Sequence, residues 1–161
     1  MNKTLLVFYS RTGFTRRVAE QIAKRMQCDT CELREQRSRA GPFGYVRSVF
    51  EALRGREPQL QDPGVDPSRY ALVILGTPVW AGRMCSPMRA FLSRHRFGGA
   101  DVAVFATCGG SGAEGVLSAV SLQAGKTPLA HLVLTDREID TGSTGRKLDA
   151  FVQALRPRTG V

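Results

Sequence analysis

The sequence predicts an α/β domain in which helices cover both faces of a parallel sheet. Three observations lead there. Five short apolar runs recur along the chain, and several are apolar at every position (LLVFY, ALVIL, VAVFA), the pattern of strands buried on both faces. Segments of helical period separate the runs, and strand alternating with helix calls for parallel pairing. The length of 161 residues suits a single domain spanning 1–161, large enough to bury a core without a disulfide or metal staple.

Taken in order, Thr4–Tyr9 reads as the first strand. Thr15–Met26 reads as a helix, because Val18, Ala19, Ile22 and Met26 recur at three- and four-residue spacing. Thr30–Leu33 reads as the second strand. Residues 36–69 are too long for an ordinary connection and read as an insertion. Within it an amphipathic helix is expected over Phe43–Arg54, with Phe43, Val46, Phe50 and Leu53 on one face and Arg47 and Arg54 on the other, followed by Arg56. This helix would serve as a lid or an interface, and Phe43 and Tyr45 are the residues placed to reach a ligand. Pro58, Pro63 and Pro67 then imply an extended return. The third strand is read at Tyr70–Gly76. A helix over Ser86–Arg94 follows, with Ser86 as N-cap and Pro87 at its first position. Asp101–Ala106 is the fourth strand, Ala113–Ala124 a helix and His131–Thr135 the fifth strand. A last helix spans Gly142–Leu155, capped by Ser143 or Thr144.

Composition narrows the function. No run approaches the roughly 20 apolar residues of a membrane helix, and the apolar start is too short for a signal peptide, so the cytoplasm is the expected compartment. The net charge is +9, and it is unevenly spread. Residues 1–100 hold 17 Lys/Arg against 8 Asp/Glu, whereas residues 101–161 hold 6 of each. Such a balance invites a nucleic-acid or anionic partner. No five consecutive basic residues and no zinc-finger or RNP-type motif accompany it, so a solvated basic face that selects acidic partners is preferred. Cys28 and Cys31 have CxxC spacing, but no second ligand pair completes a zinc site. In an extended segment, residues three apart point to opposite faces, which separates the two sulfurs.

In a parallel sheet the functional loops lie at the carboxyl ends of the strands. Three such loops carry chemistry. Ser10-Arg11-Thr12-Gly13-Phe14-Thr15 joins a strand to a helix, offers three hydroxyls, and lets Gly13 turn backbone N–H groups toward an anion. It lacks both the Walker ending and the dinucleotide fingerprint, and its simpler reading is a capped turn. Thr77-Pro78-Val79-Trp80-Ala81-Gly82 follows the third strand and holds the only tryptophan, which the flanking Pro and Gly present outward to stack on a planar ligand or which covers the sheet edge. Thr107-Cys108-Gly109-Gly110-Ser111-Gly112 is glycine-rich and admits a flat ring closely. Cys108 at a helix entrance suits a nucleophile, but no arginine follows it before Arg137, as a phosphatase-type loop would require.

These loops together resemble the flavodoxin-like family. SRTGFT is similar to its S/T-x-T-G-x-T phosphate loop, GTPVWAG to its second loop and TCGGSG to its third. GPFGYVRSVFEALRGREP is similar to an insertion seen in some members. The resemblance implies a flavodoxin-like three-layer sandwich with a five-stranded parallel sheet of order 2-1-3-4-5, of the short-chain type, that binds flavin mononucleotide (FMN). It places the phosphate on Ser10 to Thr15, the ring along Thr77 to Gly82, and the pyrimidine end on Thr107 to Ser111. Two departures stand out: the third loop has no aromatic, which leaves one flavin face open, and Phe14 replaces a small or polar residue.

The expected function is electron transfer through bound FMN to a redox partner protein, an acidic one in view of the charge. The alternatives are an FMN-dependent NAD(P)H:quinone-type oxidoreductase and a non-catalytic basic binding module. Arg11 and Arg83 lie in the loops, and Glu114 is the only acid in or just beyond them. Positive surroundings favour the anionic reduced flavin, so its second reduction is expected to be easier than in an acidic flavodoxin.

Overall fold

The computed structural model describes residues 3–36, 46 and 59–156. Strands β1 (Thr4–Phe8), β2 (Asp29–Glu32), β3 (Leu72–Trp80), β5 (Asp101–Cys108) and β6 (His131–Thr135) form a parallel sheet of order β2-β1-β3-β5-β6. This is the expected 2-1-3-4-5 order of five parallel strands. The chain numbering moves on by one because β4 (Arg83–Met84) is an added strand, antiparallel to the end of β3. Helices α1 (Phe14–Met26), α2 (Ser86–Arg94), α3 (Ala113–Ala124), α4 (Asp136–Thr141) and α5 (Gly145–Leu155) cover the sheet.

Alternation along the strands divides the core in two. Leu5, Val7, Val73, Leu75, Val102 and Val104 face α2 and α3, where Met88, Phe91, Val116 and Val120 meet them. Leu6, Phe8, Leu72, Ile74, Ala103 and Phe105 face the other way, toward Val18 and Ile22 of α1 and Leu148 and Phe151 of α5. Cys31 joins the first layer and Cys28 packs against the second, as the opposite-face argument expects.

Several boundaries differ from the sequence reading, each for a local reason. β3 does not stop at Gly76 but runs on to Trp80, paired with β5 as far as Pro78↔Thr107. β1 pairs with β3 only up to Gly76. Pro78, which has no N–H to give, therefore sits where β3 has a strand on one side only. Ser86 is not the N-cap of α2; Cys85 holds that position and Ser86 is the first helical residue. The last helix begins at Gly145 rather than Gly142, and a further short helix, α4, stands before it. Gly142, at φ +72°, closes α4, and α5 starts at Gly145 with Thr144 as N-cap but without a side-chain cap bond. The sequence signal for α4 is Thr135-Asp-Arg-Glu138, a capping box: the Glu138 N–H donates to Thr135 Oγ1 (3.2 Å) and the Thr135 N–H to Glu138 Oε2 (2.8 Å).

The insertion is closed at its base. The Gln36 N–H donates to the Gln59 carbonyl (3.2 Å) and the Gln61 N–H to the Arg34 carbonyl (2.8 Å), an antiparallel step about the Glu35↔Leu60 bridge. The helix expected over Phe43–Arg54, with Phe43, Tyr45 and the neighbouring arginines, lies outside the described residues apart from Val46.

One close approach fixes how the central strands sit together. A Cβ on Gly76 would lie 2.1 Å from Cζ of Phe105, the ring that fills this place from the neighbouring strand. Gly76→Ala is expected to cost about 1–3 kcal/mol, the range of overpacking in a tight core. Phe105→Leu in the same chain should recover part of that loss, and denaturant unfolding of the single and double variants measures the coupling. Additive losses would show that the ring can move aside.

Candidate functional site

The carboxyl ends of β1, β3 and β5 meet at a cleft of about 240 Å³. Arg11, Thr12, Phe14 and Thr15 line it from the first loop, and Pro78, Val79, Trp80 and Ala81 from the second. Thr107, Cys108 and Gly109 line it from the third, and Asp136 from the start of α4. Ser10, Gly13, Thr77, Gly82, Gly110 and Ser111 belong to the same loops but not to the lining.

The first loop is built for a tight turn. Gly13 has φ +105°, and its N–H donates to Ser10 Oγ (3.1 Å), which folds the loop back on itself. α1 begins at Phe14 with no side chain capping its first turn, so donor groups stand at the cleft. Thr15 is buried, and its hydroxyl shares a 2.8 Å hydrogen bond with the Thr107 hydroxyl. This bond ties the first loop to the third across the end of β3. Phe14 lines the cleft with the Arg17 guanidinium 5.8 Å from its ring centre.

The second loop is a hairpin rather than an irregular loop. Trp80 pairs with Arg83 across a two-residue turn in which Ala81 (φ +50°) and Gly82 (φ +73°) both take left-handed backbone. That geometry is the tight reversal whose twist matches its strands. The expectation that Trp80 is presented outward is corrected here. Trp80 is 7% exposed and meets Tyr9 edge to face, with ring centres 5.5 Å apart. The hairpin pins it against β1, so it walls the cleft with the little surface left to it. Thr77 is fully buried: its hydroxyl accepts from the Cys85 N–H (3.2 Å) and donates to the Pro78 carbonyl (2.8 Å), which holds the hairpin to α2. Gly112 is close enough to Gly82 that an added Cβ would stand 3.1 Å from the Gly82 Cα, so the second and third loops touch through backbone.

Cysteine chemistry does not belong to this site. Cys108 is buried, and burial pushes its thiol up, with the Gly110 backbone acting the other way. It is a neutral thiol against the cleft wall, and the nucleophile reading falls away. Among the described residues, no group of three or more His, Cys, Asp or Glu could hold a metal.

Asp136 is the residue that sequence reasoning missed. The signal was present, since it directly follows the last strand, at the sheet edge where functional loops lie. That segment has no glycine or hydroxyl cluster, and it was read as a connection. Its presence changes the charge at the cleft, whose lining carries Arg11 and Asp136, one of each sign, and neither Arg83 nor Glu114.

A doubly wound parallel sheet with a loop-lined cleft at its switch point defines a flavodoxin-like fold. The chain belongs to the flavodoxin family: the family model described as Flavodoxin matches residues 3–152. Among solved structures it is similar to a flavoprotein in complex with FMN from Lactobacillus acidophilus NCFM. That pair is 25% identical over 89% of this chain and 99% of the other, with a TM-score of 0.69. A proposed flavoprotein from Bacteroides uniformis is 21% identical over 91% and 98%, with a TM-score of 0.77. A proposed quinone reductase from Klebsiella pneumoniae, 13% identical over 96% and 84% with a TM-score of 0.55, shares the fold. No curated protein matches the chain. Among the described residues, no helix is long and apolar enough to cross a membrane.

Two measurements follow. Thr15→Val and Thr107→Val are each expected to cost about 1–3 kcal/mol, because each leaves one buried hydroxyl without a partner. The double variant should cost less than the sum in a denaturant cycle. Outside the site, burial pushes the Cys28 thiol up to about 11. Its alkylation by iodoacetamide should be slow at pH 8 and should accelerate steeply as pH rises toward that value. A fast reaction at pH 8 would contradict the burial.

Proposed function

We propose that the protein is an FMN-binding redox protein that passes electrons through the bound flavin. The observation carrying this reading is the joining of three loops into one cleft whose parts match the parts of the ligand. Space stands where the group would go: a Cβ built at Gly13, Gly109 or Gly110 would meet no atom within 4 Å. The donor set fits as well. The hydroxyls of Thr12 and Thr15, the turn at Gly13, the uncapped start of α1 and Arg11 suit a phosphate. Pro78 to Ala81 and Thr107 to Gly109 suit a flat ring.

When bound, FMN would supply the one- and two-electron chemistry. The chain's own part is to hold and to shield. The Thr15–Thr107 bond keeps the phosphate end and the ring end at a fixed separation. Trp80 and Val79 exclude water from one side, and the exposed backbone of Gly109 and Gly110 leaves the other side accessible. A redox partner approaching the basic first two-thirds of the chain would be acidic.

A second reading, an FMN-dependent NAD(P)H:quinone-type oxidoreductase, is favoured by that same open glycine edge, which has room for a second planar molecule. The experiment separates the two. Purified protein is expected to be yellow with an FMN spectrum, to bleach slowly with NADPH or NADH alone, and to bleach rapidly when a flavodoxin reductase is added. Rapid bleaching by a nicotinamide alone in stopped flow would select the oxidoreductase. Failure to hold FMN would remove both readings.

A further inference from the structure

The two edges of the sheet are unlike. β2, at one edge, is charged and covered: Asp29 accepts from the Tyr70 hydroxyl (3.0 Å), Glu32 accepts from Arg16 Nε (3.0 Å), and the Glu35↔Leu60 bridge closes the chain beyond it. β6, at the other edge, is paired on one side only, with β5. The Val104 N–H donates to the Ala130 carbonyl (3.2 Å), and the register runs from Val104↔His131 to Cys108↔Thr135. Leu132 and Leu134 therefore turn their backbone groups to β5, and His131, Val133 and Thr135 turn theirs outward. Of these outward groups, the Thr135 N–H is held by Glu138 Oε2 (2.8 Å).

Sheet edges are ordinarily blunted by charge, proline or a bulge. The strand His131–Thr135 carries no Lys, Arg, Asp, Glu or Pro. Its flanks are nearly as bare. On one face, Gln123 of α3 donates to the Arg89 carbonyl of α2 (3.1 Å), so the opposite flank of α3, with Leu117 and Ser121, faces the β6 edge. Glu114 is the only charge on that helix, and Leu122 is 84% exposed. On the other face, Asp149 of α5 holds Arg25 of α1, which turns Lys147 and Ala154 toward the edge, and Lys147 is held by Glu138. The charge of the whole chain indicates what covers this edge. An acidic partner is drawn to the first 100 residues, where the net +9 resides, and finds no free lysine or arginine here. Two copies repel each other everywhere except where the balanced residues 101–161 face each other.

We propose that two copies of this chain pair through the outer edges of β6, antiparallel about Val133, to form one sheet continuous across both. The pattern of free groups is self-matching. The two Val133 residues exchange both backbone bonds, and each His131 N–H meets the partner's Thr135 carbonyl. The ladder ends there because the Thr135 N–H is already capped. The two-fold axis stands on the sheet, so α3 faces α3 and α5 faces α5. Because the paired strands are antiparallel, the two clefts open at opposite ends of the shared sheet, and each stays accessible. The inference does not depend on what the cleft binds.

The test is sedimentation velocity of the full chain over a range of concentrations. The mass is expected to rise toward twice that of the chain, and to rise further between about 0.05 and 0.5 M NaCl, because salt screens the like charges. Val133→Pro removes an outward N–H and no bond to β5, and is expected to weaken association roughly 10-fold or more. His131→Pro, at the start of the strand, serves where the first variant does not fold. Thr30→Lys, on the β2 edge, should leave association unchanged. Val133→Cys should form a disulfide-linked dimer under copper phenanthroline, since the Cα atoms of a bonded pair stand about 5.5 Å apart. The parent chain should stay single under the same oxidation. Amide exchange at His131 and Val133 should slow as concentration rises. A single mass at every concentration would overturn the proposal, as would a dimer that survives both proline variants or dissociates as salt is raised. Slow exchange at every concentration would mean that the chain covers its own edge, and the proposal would fall.

Discussion

The missing side chain at Gly76 is the constraint on which the site depends. Gly76 lies between β1 and β5, and the Phe105 ring occupies the place its Cβ would take. Phe105 and Thr107 alternate onto the same face of β5, the face covered by α1. The ring lies over β3 in place of a side chain from it, and two residues further along β5 Thr107 meets Thr15 of α1, two strands away from the end of β1. A larger residue at 76 would displace the ring and disturb the strand that carries Thr107. Packing deep in the sheet thus sets a distance at its surface.

The second loop shows how a ligand wall can be made rigid by tying a hairpin to the core. A two-residue turn with left-handed backbone at both positions holds the hairpin, Thr77 anchors its root and Tyr9 clamps Trp80. Gly112 rests against Gly82, so the third loop is braced by the second. The three loops are mechanically one unit, consistent with a cleft organised before its ligand arrives, which lowers the ordering cost of binding.

Much of this was legible in the residues. Continuous apolar runs marked β1, β3 and β5, shorter ones marked β2 and β6, and the three loops that line the cleft were found from hydroxyls, glycines and their position after strands. What escaped had specific causes. Gly76 and Pro78 read as the end of a strand, because glycine and proline usually interrupt one. Here glycine admits a ring and proline sits where its missing N–H has no neighbour to serve. Trp80 read as exposed because the local sequence cannot show Tyr9 waiting for it across the sheet. Asp136 follows a strand with none of the residues that mark a binding loop. Its place at the cleft depends on α4 docking on α1, a contact between residues more than a hundred positions apart.

The antiparallel step that joins residues 34–36 to residues 59–61 has a consequence for how this chain can vary. The two ends of the insertion are held together by the domain itself, so the entropy of closing the loop is met at the stem. Lengthening such a loop is thermodynamically mild: each doubling adds only about 0.6 kcal/mol. The cost of closing this loop therefore depends only weakly on the length of chain between residues 36 and 59. That position works as a socket at the carboxyl end of β2, the end of the sheet that also carries the cleft, where segments of different length can be accommodated at little cost in loop closure.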